Sequence, residues 1–96
     1  MLGLEEYAKG FKKGYTYVLY ESESESRQEP ALDKTSLESI GYYDGYNYGE
    51  YLERTGQTMS ISPEQLIAEI DKRHTKALKT YEEFLNIKSN NEEIQK

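Results

Sequence analysis

Two segments of this chain, Gly10-Phe11-Lys12-Lys13-Gly14-Tyr15-Thr16-Tyr17-Val18-Leu19-Tyr20 and Gly41-Tyr42-Tyr43-Asp44-Gly45-Tyr46-Asn47-Tyr48-Gly49-Glu50-Tyr51, share the pattern Gly-aromatic-x-x-Gly-Tyr-x-Tyr-x-x-Tyr. The offset is 31 residues throughout, five positions are identical, and Phe11 against Tyr42 adds a further aromatic match, which marks an internal repeat. Five of the 7 glycines fall within it at four-residue spacing. In a helix each costs about 1 kcal/mol relative to Ala, so such a repeat folds only where close packing offsets the loss.

The spacing predicts helices that meet through Gly10 and Gly14 on one side and Gly41, Gly45 and Gly49 on the other. Leu4, Ala8, Phe11, Tyr15, Val18 and Leu19 then share one face of a first helix over about 3–20. A second helix is expected over about 36–54, opening after Thr35, which has capping-box spacing to Glu38, and closing at Thr55-Gly56, where glycine suits a left-handed cap. A rival reading makes Asp44-Gly45 the turn of a Tyr-rich hairpin at 41–49, because Tyr, Thr and Val favour strands. The first copy argues for helix, since Lys12-Lys13 offers no turn chemistry at the matching position.

A third helix is expected over 63–87. Ser62-Pro63-Glu64-Gln65 supplies an N-cap serine, a proline in the first turn and a Gln placed to close a capping box. Ile67, Ile70, His74, Ala77, Tyr81 and Phe84 follow a 3-4-3-4-3 spacing, flanked by Leu66, Leu78 and Leu85. The opposite side carries Lys72, Arg73, Lys76 and Lys79, read as a solvated face. Residues 89–96 are expected to fray, and 21–35, with its Glu-Ser alternation ending at Pro30, to form a solvated loop. The expected fold is therefore an all-α, three-helix bundle within one domain, 1–88.

Leu, Ile, Val and Phe number only 18 of 96 residues, against ten Tyr, so the core leans on tyrosine, and a core this thin points to a homodimer or another partner. The absence of Cys excludes disulfides, thiolate metal sites and a cysteine nucleophile. No stretch has the length of a membrane span, no secretory leader is evident, and a cytoplasmic protein is expected. A net charge of −6 disfavours non-specific nucleic-acid binding, although Lys72, Lys76 and Lys79 are the residues that would carry it.

No reaction is written in the motifs, and no cofactor or metal is expected. His74, with Asp71 three residues before it, has the acid-x-x-His step of a carboxylate-bridged metal site, but the chain has one His, so only a dimer could complete such a centre. The tyrosines carry a better hypothesis. Tyr42, Tyr43, Tyr46, Tyr48 and Tyr51 occupy every side of a helix and cannot all enter one core, and tyrosine is favoured at binding hot spots. With Asp44, Glu50 and Glu53 beside Tyr42, Tyr43, Tyr46 and Tyr48, the expected site is an acidic, aromatic surface for a basic cleft on a partner enzyme. That is the physical type of a stoichiometric inhibitor: an immunity protein, an antitoxin or a blocker of a defence enzyme. A homo-oligomeric assembly subunit is the second reading, and a dimeric metalloenzyme the third.

Overall fold

A computed structural model describes the backbone of residues 3–58 and 61–94 and the side chains as far as residue 87. Three helices make up the fold: α1 (Leu4–Thr16), prolonged by a wide π-type turn over Tyr17–Glu21, α2 (Leu37–Thr55) and α3 (Pro63–Ile94). There is no strand among the described residues, and 41–49 lies wholly inside α2, which overturns the hairpin reading. The reason is the glycine register, because a hairpin at Asp44-Gly45 would dismantle the face that α2 turns toward α1.

That contact is backbone against backbone. A Cβ built on Gly10 would overlap the Glu38 carbonyl and stand 2.9 Å from the Tyr42 nitrogen, and one on Gly41 would overlap the Tyr7 carbonyl and stand 2.9 Å from the Phe11 nitrogen. Glu38 and Tyr42 are the positions of Tyr7 and Phe11 advanced by one repeat. Gly14 meets Tyr42 and Tyr46 in the same way, and Gly45 meets Phe11. The partners advance together along both helices, so α1 and α2 run parallel, related by a local two-fold axis between them. Such closeness sets glycine Cα hydrogens against facing carbonyls, each contact worth about 0.5–1 kcal/mol, which offsets much of glycine's helix penalty.

Side chains obey the same symmetry. The Tyr15 and Tyr48 rings lie 6.1 Å apart at 24°, and their counterparts, Tyr46 and Tyr17, lie 6.2 Å apart at 26°. The symmetry stops where α2 has Gly49 and α1 has Val18. A Cβ on Gly49 would stand 2.9 Å from the Val18 Cβ, and α1 widens into its π-type turn where this branched side chain enters the seam. Parallel helices also require a connection that returns along their length, which residues 22–36 provide.

The caps follow local chemistry. Ser62 and Gln65 form the reciprocal box, Gln65 N donating to Ser62 Oγ at 3.1 Å and Ser62 N to Gln65 Oε1 at 2.8 Å. Gly56 closes α2 at φ 71°, with the Gln57 amide returning to the Leu52 carbonyl at 2.9 Å. The start of α2 departs from expectation by one residue: Ser36, not Thr35, caps it, accepting from Ser39 N at 3.0 Å. Thr35 is instead engaged by Asp33, whose carboxylate accepts both its amide and its hydroxyl.

α3 runs antiparallel to the pair across one face, His74 beside Tyr7 and Tyr81 near Gly3 and Leu37. The core gathers Tyr7, Phe11, Tyr15, Leu37, Ile40, Tyr48, Leu52, Ile70 and Ala77. Only the middle of the α3 stripe is covered. Ile70, His74 and Ala77 are buried, whereas Ile67 and Leu85 stay 54% and 42% exposed. Length explains the exposure of Leu85, since α3 has 32 residues against 19 in α2, about 48 Å against 28 Å, and outruns its neighbours beyond Tyr81, whereas Ile67 borders an open hollow with Leu4, Ala8 and Lys12. Its backbone remains helical past residue 87 to Ile94, through a segment with neither Gly nor Pro. Side chains over the expected tail, 89–96, lie outside the described residues.

Candidate functional site

The seven residues expected to form one binding surface are distributed over different environments. Tyr46 and Tyr48 are buried, 2% and 7% exposed, because one helix turns them to opposite faces of the pair. Tyr48 enters the α3 seam, where the Arg73 guanidinium lies 5.3 Å above its ring, and Tyr46 stacks on Tyr17. Both are therefore corrected from surface residues to packing residues. Tyr42 and Tyr43 remain half-exposed.

Asp44 is turned inward, and its Oδ2 accepts the Tyr7 hydroxyl proton at 2.7 Å. Burial raises the Asp44 pKa from its ordinary value, while the Tyr7 hydrogen bond and the charges of Arg73 and Lys76 act the other way. Tyr7 is raised strongly by burial and by the same carboxylate, so it stays a proton donor. A cleft of about 190 Å³ opens beside Asp44, walled by Tyr43, Ile40, Arg73, Lys76, Ala77, Thr80 and Leu32. Sequence reading passed over Tyr7, although it precedes Phe11 by four residues on the buried stripe.

Glu50 and Glu53 are engaged by a residue that was also passed over, Arg27. Its Nη1 reaches Glu50 at 3.3 Å and Glu53 at 3.0 Å, Nη2 reaches Glu53 at 2.9 Å and the Val18 carbonyl at 3.1 Å, and Nε donates to Ser22 Oγ at 2.9 Å. The Arg27 side chain is only 4% exposed. These bonds raise its already high pKa further, Glu53 contributing most, and hold Glu53 below its usual value. The loop expected to be merely solvated is thus fastened to the ends of both helices, though most of its residues are exposed. Arg27 is the one basic residue among 21–33, and that isolation was the available signal.

What remains outward at this end is aromatic and anionic. Tyr20 is 72% exposed and Tyr51 44%, each the last tyrosine of its repeat. Glu21, Glu23 and Glu25 are exposed there too. Because α1 and α2 are parallel, both helices present their C-terminal ends together, and their dipoles add to the negative potential. The hydroxyls beneath are masked, the Tyr15 pKa being raised by burial and by neighbouring Tyr20 and Tyr48.

His74 is 1% exposed, with its ring 5.7 Å from that of Tyr7, whereas Asp71 is exposed. No group of three or more residues that could hold a metal ion occurs among the described residues. Lys72, Lys76 and Lys79 are exposed, and no helix among the described residues is long and apolar enough to cross a membrane. Comparisons with family models, curated proteins and solved structures gave no significant match. Its class is therefore defined by architecture alone: a small all-α bundle built on a parallel, glycine-packed helix pair.

Proposed function

We propose that the protein is a stoichiometric protein-binding module of the inhibitor type, an immunity protein, antitoxin or defence-enzyme blocker, that occludes a basic site on a partner. The observation that carries this reading is the end of the helix pair, where exposed Tyr20 and Tyr51 are accompanied by exposed Glu21, Glu23 and Glu25, while Glu50 and Glu53 beside them are shared with Arg27. Tyrosine buries a large area at low entropic cost and keeps a hydroxyl for the partner, and flanking carboxylates steer a cationic surface toward it. Two dipole ends of the same sign strengthen the attraction. Compared with the surface expected from sequence, the contact moves toward the C-terminal end of each repeat, with Tyr42 and Tyr43 as further half-exposed candidates.

The test is capture from the native host with wild-type protein and with the double variant Tyr20→Ala/Tyr51→Ala. A basic enzyme recovered at 1:1, inhibited on binding and lost with the variant, supports the reading. Capture unaffected by the double substitution, or a partner whose activity is unchanged in the complex, overturns it.

A further inference from the structure

The cleft beside Asp44 collects polar groups that the chain itself leaves unused. It lies between α2 and α3, with Leu32 of the 22–36 connection at its margin, and holds about 190 Å³. Ile40 and Ala77, both buried, supply one apolar wall, and Leu32, 43% exposed, supplies another. The Tyr43 and Thr80 hydroxyls and the Lys76 ammonium make no hydrogen bond or ion pair with described residues, and Asp44 engages Tyr7 through Oδ2 alone. Arg73 gives only its Nε to Glu69, at 2.6 Å, so both of its Nη groups keep their bonding capacity. On an open surface such groups spend that capacity on water. Gathered around a concavity with apolar walls, they have the composition of a small-ligand site.

Charge and size narrow the ligand. Arg73 and Lys76 are neighbours at successive turns of α3, and both exert their charge on the Asp44 carboxylate. A simple anion drawn to the two cations would also meet Asp44, and a simple cation held by Asp44 would also meet Arg73 and Lys76. A ligand that carries both charges close together satisfies all three. An apolar cavity of about 150 Å³ takes benzene, so this cleft has room for about six to eight non-hydrogen atoms. We propose that the cleft is a binding site for a small aliphatic α-amino acid, with its ammonium on Asp44, its carboxylate between Arg73 and Lys76, and its side chain against Ile40, Ala77 and Leu32. The Tyr43 and Thr80 hydroxyls serve either charged group, because a hydroxyl both donates and accepts. Such a ligand joins α2, α3 and the connection, and its binding stabilises the fold by mass action. The site needs no foreign protein and stands independently of the inhibitor reading.

Titration of isotope-labelled protein with L-alanine and L-valine at millimolar concentrations, followed through its amide chemical shifts, tests the proposal. Saturable shifts concentrated at Tyr43, Asp44, Lys76, Ala77 and Thr80 are expected, together with a Tm that rises with amino-acid concentration. Isobutylamine and isovalerate each keep one of valine's two charged groups, and each should bind at least about tenfold more weakly than valine. Lys76→Met should weaken valine binding by a similar factor, whereas Lys79→Met, the next lysine along α3 and outside the cleft, should leave it unchanged. Both lysines are exposed, and circular dichroism verifies that each variant keeps its helix content. No saturable shift with either amino acid, shifts centred elsewhere, half-ligands that bind as tightly as valine, or equal affinities for the two lysine variants overturns the proposal.

Discussion

Tyr7 and Asp44 are joined across the helix pair by a 2.7 Å hydrogen bond, and the positions related to them by the local two-fold axis, Glu38 and Lys13, are joined by a 3.1 Å ion pair. One geometry thus serves two chemistries. The first is buried under α3 and the second is open to water, so the two should respond differently to substitution. Tyr7→Phe removes the donor and leaves a partly buried carboxylate short of a partner, with an expected cost of about 1–2 kcal/mol. Lys13→Met, at an exposed pair, should change stability by less than about 0.5 kcal/mol. Urea denaturation of the two variants checks the ranking.

Alanine at Gly14 or Gly45 should destabilise, reversing the usual helix preference. A methyl at either position overlaps backbone of the facing helix, which cannot swing aside as a side chain can. Separation of the helices should cost about 3 kcal/mol or more. Gly49→Ala is expected to be milder, because its neighbour is the Val18 side chain at 2.9 Å. Thermal melts that rank Gly49→Ala with or below Gly45→Ala in stability would contradict backbone packing as the cause.

Arg27→Ala should release the 22–36 connection while leaving the helices formed. Its guanidinium is shared among two carboxylates, a carbonyl and a hydroxyl, and removing it leaves the Val18 carbonyl without that donor. The expected loss is about 2 kcal/mol, discounted for the partial exposure of Glu50 and Glu53. Limited proteolysis should show faster cleavage between Ser22 and Ser36 with unchanged helical dichroism. An unchanged cleavage rate would mean that other contacts hold the loop.

Acid should act on Glu53 and Asp44 in opposite senses. Glu53 is held below its usual pKa by Arg27, so its contribution is complete above the unfolded value of about 4.3 and is lost as pH falls through the lower folded one. Asp44 is raised by burial, so the folded state binds its proton more readily and its ionisation penalty disappears as pH falls toward about 4. The stability difference between wild type and Glu53→Gln should therefore shrink between about pH 6 and pH 3, and that between wild type and Asp44→Asn should move in favour of wild type. Paired denaturation series across this range distinguish the two.

Features written in adjacent residues were the ones legible in the sequence. The Ser62–Gln65 box and the Gly56 cap depend on contacts within four or five positions, and both were read correctly. The all-α fold was legible through the repeat, because glycines at four-residue spacing make one helix face in both copies. Three things depended on distant partners. Arg27 finds Glu53 across 26 positions, Tyr7 finds Asp44 across 37, and Ser36 supplants Thr35 because Asp33 engages Thr35 first. The expected surface dispersed for a geometric reason: Tyr46 and Tyr48, two residues apart on a helix, point about 200° apart around its axis and enter different seams.

The tandem encoding of the helix pair frees it from a restriction that binds any assembly of identical chains. Were α1 and α2 copies of one peptide, every substitution would be made twice, and a lysine suited to solvent on one flank would be imposed on the core of the other. Written as two unequal segments of a single polypeptide, they keep the glycine seam in common while their flanks diverge. One flank has become an interior, the other an exterior with its own charge. The 31-residue period thus preserves the seam while leaving each flank free to specialise.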